Sequence, residues 1–219
     1  MRQLLLLRPE PGLSDSAERA RALGLNVICR PLFRVEPLAW EAPDPAGYDA
    51  LLLTSANAVR HGGTALDGLR NLPVHAVGAA TAAAARAAGF RVETVGDSDA
   101  AALLDRLSPS LRLLHLAGED HRGADYPSIE RRILYRSAPI EDPELPELKG
   151  LVVAVHSPRA GRRLRELTPD GGNTAIAAIS PATAQACGTG WERVETAAEP
   201  TDKSLLALAA MLCHTSPPT

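Results

Sequence analysis

The chain has 219 residues, enough for one large domain or two small ones with a buried core. A formal net charge of −3 and 3% aromatic residues exclude the basic footprint and stacking surfaces that nucleic acid requires. Three scattered cysteines without a C-x-x-C (Cys29, Cys187, Cys213), a leading apolar run too short for a signal peptide, and no stretch of membrane-span length read as a reduced cytoplasmic protein.

Apolar runs of strand length alternate with Ala/Leu/Arg-rich helical stretches, the pattern of a parallel α/β sheet. Leu4–Leu7 is predicted as the first strand, followed by a helix from about Ser14 that stops at Gly24. Asn26–Cys29 and Leu32–Leu38 read as extended, Leu51–Leu53 as a buried strand, and a helix starts near Ala56. Val74–Val77 leads into a helix over Ala79–Ala88, closed by Gly89. Strands follow at Val92–Val95 and Leu111–Leu116 around a helix at Asp99–Leu107, which Asp97 or Asp99 caps. Ile133–Arg136 is a short extended segment. Strands at Leu151–Val155, Ala175–Ile179 and Val194–Ala197 then alternate with helices beginning near Pro158, Pro181 and Thr201.

The latter half echoes the former at a fixed offset. Arg91-Val92-Glu93-Thr94 recurs as Arg193-Val194-Glu195-Thr196, a shift of 193 − 91 = 102 residues. The same offset relates Ser55 to Ser157, Ala80-Thr81-Ala82 to Ala182-Thr183-Ala184, and Leu103-Leu104 to Leu205-Leu206. Two copies of one unit imply two matching bodies facing a cleft. The second copy supplies only three strands, and the two N-terminal strands complete it to 3 + 2 = 5. The fold class expected is α/β: two doubly wound parallel-sheet domains, one discontinuous, joined by a two-stranded linker. Residues 1–36 and 137–219 form the discontinuous domain and 37–136 the inserted one, with proline-rich crossings near Phe33–Asp44 and Tyr135–Pro146. Two sequential halves are the simpler alternative.

Ser55, Thr81, Ser157 and Thr183 all stand where a strand gives way to a helix. Each hydroxyl can serve as a cap or first-turn residue for orphan amides. Together they mark the strand ends where open parallel sheets bind ligands, and where helix N-termini favour an anion with several negative groups. Arg8, ending the first strand, is either a surface charge or a further contact in that cleft. Tyr135, near the second crossing, either packs in a hinge or donates a proton. His115, Glu119, Asp120 and His121 lack a recognised ligand spacing and read as a solvated loop, so no metal is expected. No phosphate loop and no G-x-G-x-x-G follow a strand, which removes support for a nucleotide-using transferase.

In order along the chain, Leu7-Arg8-Pro9, Pro31–Leu38 (PLFRVEPL), Asp49–Val59 (DALLLTSANAV), Val77–Ala82 (VGAATA), Leu134-Tyr135-Arg136 with Pro139, Ser157–Ala160 (SPRA) and Ile179–Ala184 (ISPATA) form a set that resembles the uroporphyrinogen-III synthase family over nearly the whole chain. The resemblance implies cyclisation of hydroxymethylbilane to uroporphyrinogen III with loss of water and inversion of the terminal pyrrole ring, without a cofactor. It implies Tyr135 as the catalytic residue that assists departure of the hydroxyl. It implies carboxylate contacts at Arg8, Ser55, Ala56, Asn57, Gly78, Thr81, Ser157 and Thr183. The expected partner is the polycarboxylate substrate, with transient handover from the preceding pathway enzyme, and the protein is expected to be a monomer. Three departures stand out: the segment from Gly118 to Tyr135 is short, Ala117 replaces a common Arg, and His156 replaces a small residue. The competing reading is a non-catalytic two-domain binding protein for an anionic metabolite.

Overall fold

A computed structural model describes residues 1–97, 99–120 and 128–215. In chain order its elements are β1 (Leu4–Leu6), α1 (Gly12–Ala22), β2 (Val27–Cys29), β3 (Phe33–Pro37), β4 (Ala50–Leu53), α2 (Ala56–His61), β5 (Val74–Val77), α3 (Ala79–Ala87), β6 (Val92–Gly96), α4 (Ala100–Leu104), β7 (Leu113–Gly118), β8 (Ile129–Pro139), β9 (Val152–Val155), α5 (Pro158–Leu167), β10 (Gly172–Ala178), α6 (Pro181–Cys187), β11 (Trp191–Thr196) and α7 (Asp202–His214). The chain divides into two compact units, one formed by Met1–Arg34 with Ala138–Thr219 and the other by Val35–Ser137.

The first unit carries a five-stranded parallel sheet in the order β11-β10-β9-β1-β2. Its strands β1 and β9 are apolar at every position, as suits strands with helices over both faces. With a side-chain period of two, Leu4, Leu6, Val152 and Ala154 join Leu13 and Ala17 of α1 and Leu205 and Ala209 of α7 in one core. Leu5, Val153 and Val155 pack on the other face with Leu164 of α5 and Cys187 of α6. Leu4, Leu5 and Leu6 have no solvent exposure, so each contributes about 1.5–3 kcal/mol of burial, and truncation to Ala would cost about 2–5 kcal/mol.

The second unit carries a six-stranded sheet in the order β3-β8-β7-β4-β5-β6. Strands β4 to β8 pair in parallel. β3 runs antiparallel to β8, since Leu38 N–H donates to Leu134 O while Ile140 N–H donates to Leu32 O. Both passages of the chain from one unit to the other fall within these two strands, which are the two-stranded linker. Leu51, Leu53, Val74, Ala76, Leu114 and Leu116 form the core under α2 and α3.

The 102-residue echo corresponds to β4-α2-β5-α3-β6-α4 and β9-α5-β10-α6-β11-α7. The run β6-β5-β4-β7-β8 occupies the same places in its sheet as β11-β10-β9-β1-β2 does in the other.

β10 and β11 each begin three residues before the sequence expectation, at Gly172 and Trp191, β7 lies two residues further on, and two further elements differ in extent. The helix expected to reach Leu107 ends at Leu104, where Arg106 and Leu107 N–H groups turn back to the carbonyls of Leu103 and Leu104. Pro109 lies just ahead and cannot continue a helix. β8 runs over eleven residues rather than the expected four, because it is paired on both sides. Its exposed Glu130 and half-buried Arg132 form an ion pair, which hides the strand from a search for apolar alternation. Among the described residues no helix is long and apolar enough to cross a membrane.

Candidate functional site

The strand ends of the two units are built alike. Ser55 leaves β4 in extended backbone, and its Oγ accepts from the Asn57 N–H at 3.2 Å to cap α2. Ser157 leaves β9 the same way and caps α5, accepting from Ala160 N–H at 3.1 Å. Each cap uses only a lone pair, so the hydroxyl proton remains available to an acceptor. The remaining first-turn amides, which no helix carbonyl can satisfy, lie beside it. Ala56 is buried at the first position of α2, and Asn57 Oδ1 accepts from Arg60 at 3.3 Å.

Gly78 follows β5 and caps the start of α3 with φ +85°, a conformation that glycine alone adopts at no steric cost. Thr81, one turn later, is 5% exposed and faces inward. Thr183 has no exposure, and its Oγ1 lies 3.0 Å from Ser180 Oγ. The cap of α6 is Ser180, accepting from Thr183 N–H at 3.3 Å. Sequence reasoning singled out Thr183 and missed Ser180. The signal was present in Ser180-Pro181, a capping residue directly before proline at the first helical position. Ser55, Ala56, Asn57, Gly78 and Thr81 therefore share the C-terminal edge of one sheet, while Arg8, Ser157 and Thr183 share that of the other.

Arg8 does not stand alone at its edge. Its Nη1 donates to Asp202 Oδ1 at 3.1 Å and to Ser16 Oγ at 3.0 Å. Oδ1 also accepts from Ser16 Oγ at 2.6 Å and from His156 Nε2 at 2.8 Å, and Oδ2 accepts from Arg19 Nε at 2.9 Å. One carboxylate at the start of α7 thus ties together β1, α1 and the end of β9. Burial opposes its charge, yet hydrogen bonds from His156, Ser16 and Arg19 hold the Asp202 carboxyl far below the usual carboxylate range. Burial holds the His156 imidazole below its ordinary pKa despite that neighbour, so near neutral pH it donates Nε2–H as a neutral ring. This anchor, spread over four elements, was not found from the sequence.

Tyr135 lies on β8 opposite Gly118, the last residue of β7, and so on the same sheet edge as Ser55 and Gly78. Its carbonyl accepts from Glu119 N–H at 2.9 Å. Its ring sits 6.0 Å from that of His61, whose pKa is lowered by burial and by Arg60. On the other face of the sheet, buried His115 accepts from Arg131 Nε–H at Nδ1, at 3.3 Å, and its Nε2 lies 3.0 Å from Thr54 Oγ1. Of the residues near it in sequence, His121 lies outside the described residues, as do the other members of 121–127 in the short segment before Tyr135.

The family model for uroporphyrinogen-III synthase HemD matches residues 14–207. Uroporphyrinogen-III synthetase from Helicobacter pylori superposes with a TM-score of 0.70 at 18% identity, covering 97% of this chain and 100% of that one. A mutant uroporphyrinogen III synthase from the extremely thermophilic bacterium Thermus thermophilus gives a TM-score of 0.54 at 18% identity over 96% and 99% of the two chains. At these identities the superpositions speak to the fold. No curated protein sequence matches.

Proposed function

The chain belongs to the uroporphyrinogen-III synthase family, a group of cyclising lyases of tetrapyrrole biosynthesis that act on hydroxymethylbilane, and from that premise we propose which of its residues do the work. Ser55 and Ser157, with the first-turn amides of α2 and α5, take substrate carboxylates. Gly78 with α3, and Ser180 and Thr183 with α6, extend those anion-binding edges. Ala56 and Asn57 contribute backbone amides. Arg8 adds a guanidinium held at a fixed place by Asp202. The observation that carries this assignment is the pair of equivalent serine caps, 3.2 Å and 3.1 Å from the amides they accept from, each at the C-terminal edge of its own parallel sheet.

Tyr135 assists the departing hydroxyl. As the exocyclic C–O bond breaks, the electron pair leaves with oxygen and the phenol proton completes a water molecule. The pyrrole nitrogen lone pair stabilises the cation left on carbon. The terminal ring then attacks through its substituted α carbon to give a spiro intermediate. The bond from that carbon to its original bridging methylene breaks, and the freed methylene bonds the ring's other α carbon, whose departing proton restores the phenol. The unassisted chain closes without inversion, so holding the two ends is the enzyme's main task. Freshly prepared hydroxymethylbilane with the purified protein, followed by separation of isomers, is expected to give the type III product. Type I alone, at the uncatalysed rate, would refute the assignment.

The same reading makes the protein a cytoplasmic monomer that takes its unstable substrate by transient handover from the enzyme that makes it. Three free thiols support the reducing compartment. Light scattering on the eluted protein checks the monomer.

A further inference from the structure

Gly118 occupies the last position of β7, and its φ does not lie in the left-handed region. The backbone there would accept any residue. What excludes a side chain is Tyr135: a Cβ on Gly118 would lie 2.5 Å from the phenol Cε2, 2.6 Å from Cζ and 2.9 Å from Oη. The phenol rests on bare backbone at the sheet edge.

The facing strand is shaped to the same end. Ala117 pairs with Ile133, but Gly118 pairs with Tyr135, so β8 carries one extra residue at that point. Successive strand residues ordinarily point to opposite faces, yet Leu134 and Tyr135 both pack on the core beneath α2. A bulge of this kind re-aims a side chain. Here it swings Tyr135 onto the α2 face, over Gly118 and beside the His61 ring.

We propose that Gly118 is a positioning residue for the reaction: by lacking a side chain it seats the Tyr135 phenol at the sheet edge in the orientation that reaches the departing hydroxyl. The proposal rests on the reading that Tyr135 assists that departure. Because the atoms a new methyl would meet are the tip of one side chain, Gly118→Ala moves the phenol and leaves the sheet in place.

The test is a double-mutant cycle with a spectroscopic arm. Gly118→Ala is expected to lower kcat roughly 10-fold or more with KM changed less than about 2-fold, as for an interaction made in the transition state. Its melting temperature should stay within about 4 °C of the parent. In the Tyr135→Phe background the same change should cost less than about 2-fold, because the group it displaces is already gone. With fluorotyrosine at the three tyrosines, the resonance that Tyr135→Phe removes should shift in Gly118→Ala while the others stay. Wild-type kcat in Gly118→Ala, or equal losses in both backgrounds, would overturn the proposal. An unmoved resonance would overturn the seat itself. Wild-type turnover in Tyr135→Phe would instead overturn the role of Tyr135 and with it the purpose of the seat, while the resonance still decides the contact. Should Gly118→Ala not fold, His61→Ala removes the neighbouring ring without altering β7, and must shift the same resonance and lower kcat for the proposal to stand.

Discussion

Removing one oxygen from Tyr135 separates its proposed chemistry from its packing, because phenylalanine keeps the ring that lies over Gly118 and beside His61. Tyr135→Phe is expected to lower kcat roughly 100-fold, within the range for loss of a positioned proton donor, with KM and the isomer ratio close to the parent. A spectrophotometric assay on fresh hydroxymethylbilane measures it, and unchanged turnover would remove the phenol from the reaction. Asp202 is a residue of the opposite kind, far more important to neighbours than to solvent. Four donors converge on its two oxygens, and two of them are arginines. Asp202→Asn leaves Arg8 and Arg19 without their counter-charge and should destabilise the first unit by about 2 kcal/mol, read by chemical denaturation. It should also raise KM, because Arg8 loses the contact that fixes its guanidinium.

At the scale of elements, the capping of the helices and the carboxylate binding proposed for the same serines can be divided by one pair of substitutions. Alanine at position 157 loses the capping acceptor of α5 at about 1 kcal/mol, whereas glycine at a cap costs only about a few tenths. Both remove the hydroxyl proposed to meet a substrate carboxylate. Ser157→Ala and Ser157→Gly should therefore raise KM alike, roughly 10-fold for a lost charged hydrogen bond, while only the alanine variant melts appreciably earlier. Equal KM to the parent in both would confine Ser157 to capping. Local signals of this sort were legible in the sequence: apolar runs gave the parallel strands, and a hydroxyl between strand and helix gave the caps at Ser55 and Ser157. The full length of β8 was not, because its Arg and Glu positions obscure the alternation and its pairing with β3 joins residues far apart in the chain. Nor was the Asp202 anchor, since its partners Arg8, Ser16 and His156 lie 194, 186 and 46 residues away in the chain. The seat of Tyr135 escaped for a related reason: a glycine with ordinary φ looks unconstrained until the side chain lying on it is seen.

For the molecule as a whole, the two units have separate cores, and each holds a buried imidazole that resists protonation. In the first unit His156 is held below its ordinary pKa by burial, and in the second His75 is likewise, with its Nδ1 buried and unpartnered. A histidine depressed in the folded state takes its proton first when unfolded. Its contribution is thus complete above about pH 6.5 and is lost as pH falls toward the folded value. Asp202 has the same sign at lower pH: its contribution is whole above about 3.9 and is lost only in stronger acid. Stability should accordingly fall from about pH 7.5 to about 5 through the histidines, well before Asp202 titrates. The two tryptophans let each unit be followed separately. Trp40 packs on the core of the second unit and donates to Gly62 O, and Trp191 packs on that of the first and donates to Cys187 O. In a Trp40→Phe background, denaturation followed by Trp191 fluorescence reports the first unit alone. Adding His156→Gln keeps a donor toward Asp202 but removes the titrating ring, and should flatten the dependence of that unit's stability on pH over the same window. Parallel curves with and without the glutamine would show that His156 is not the group responsible.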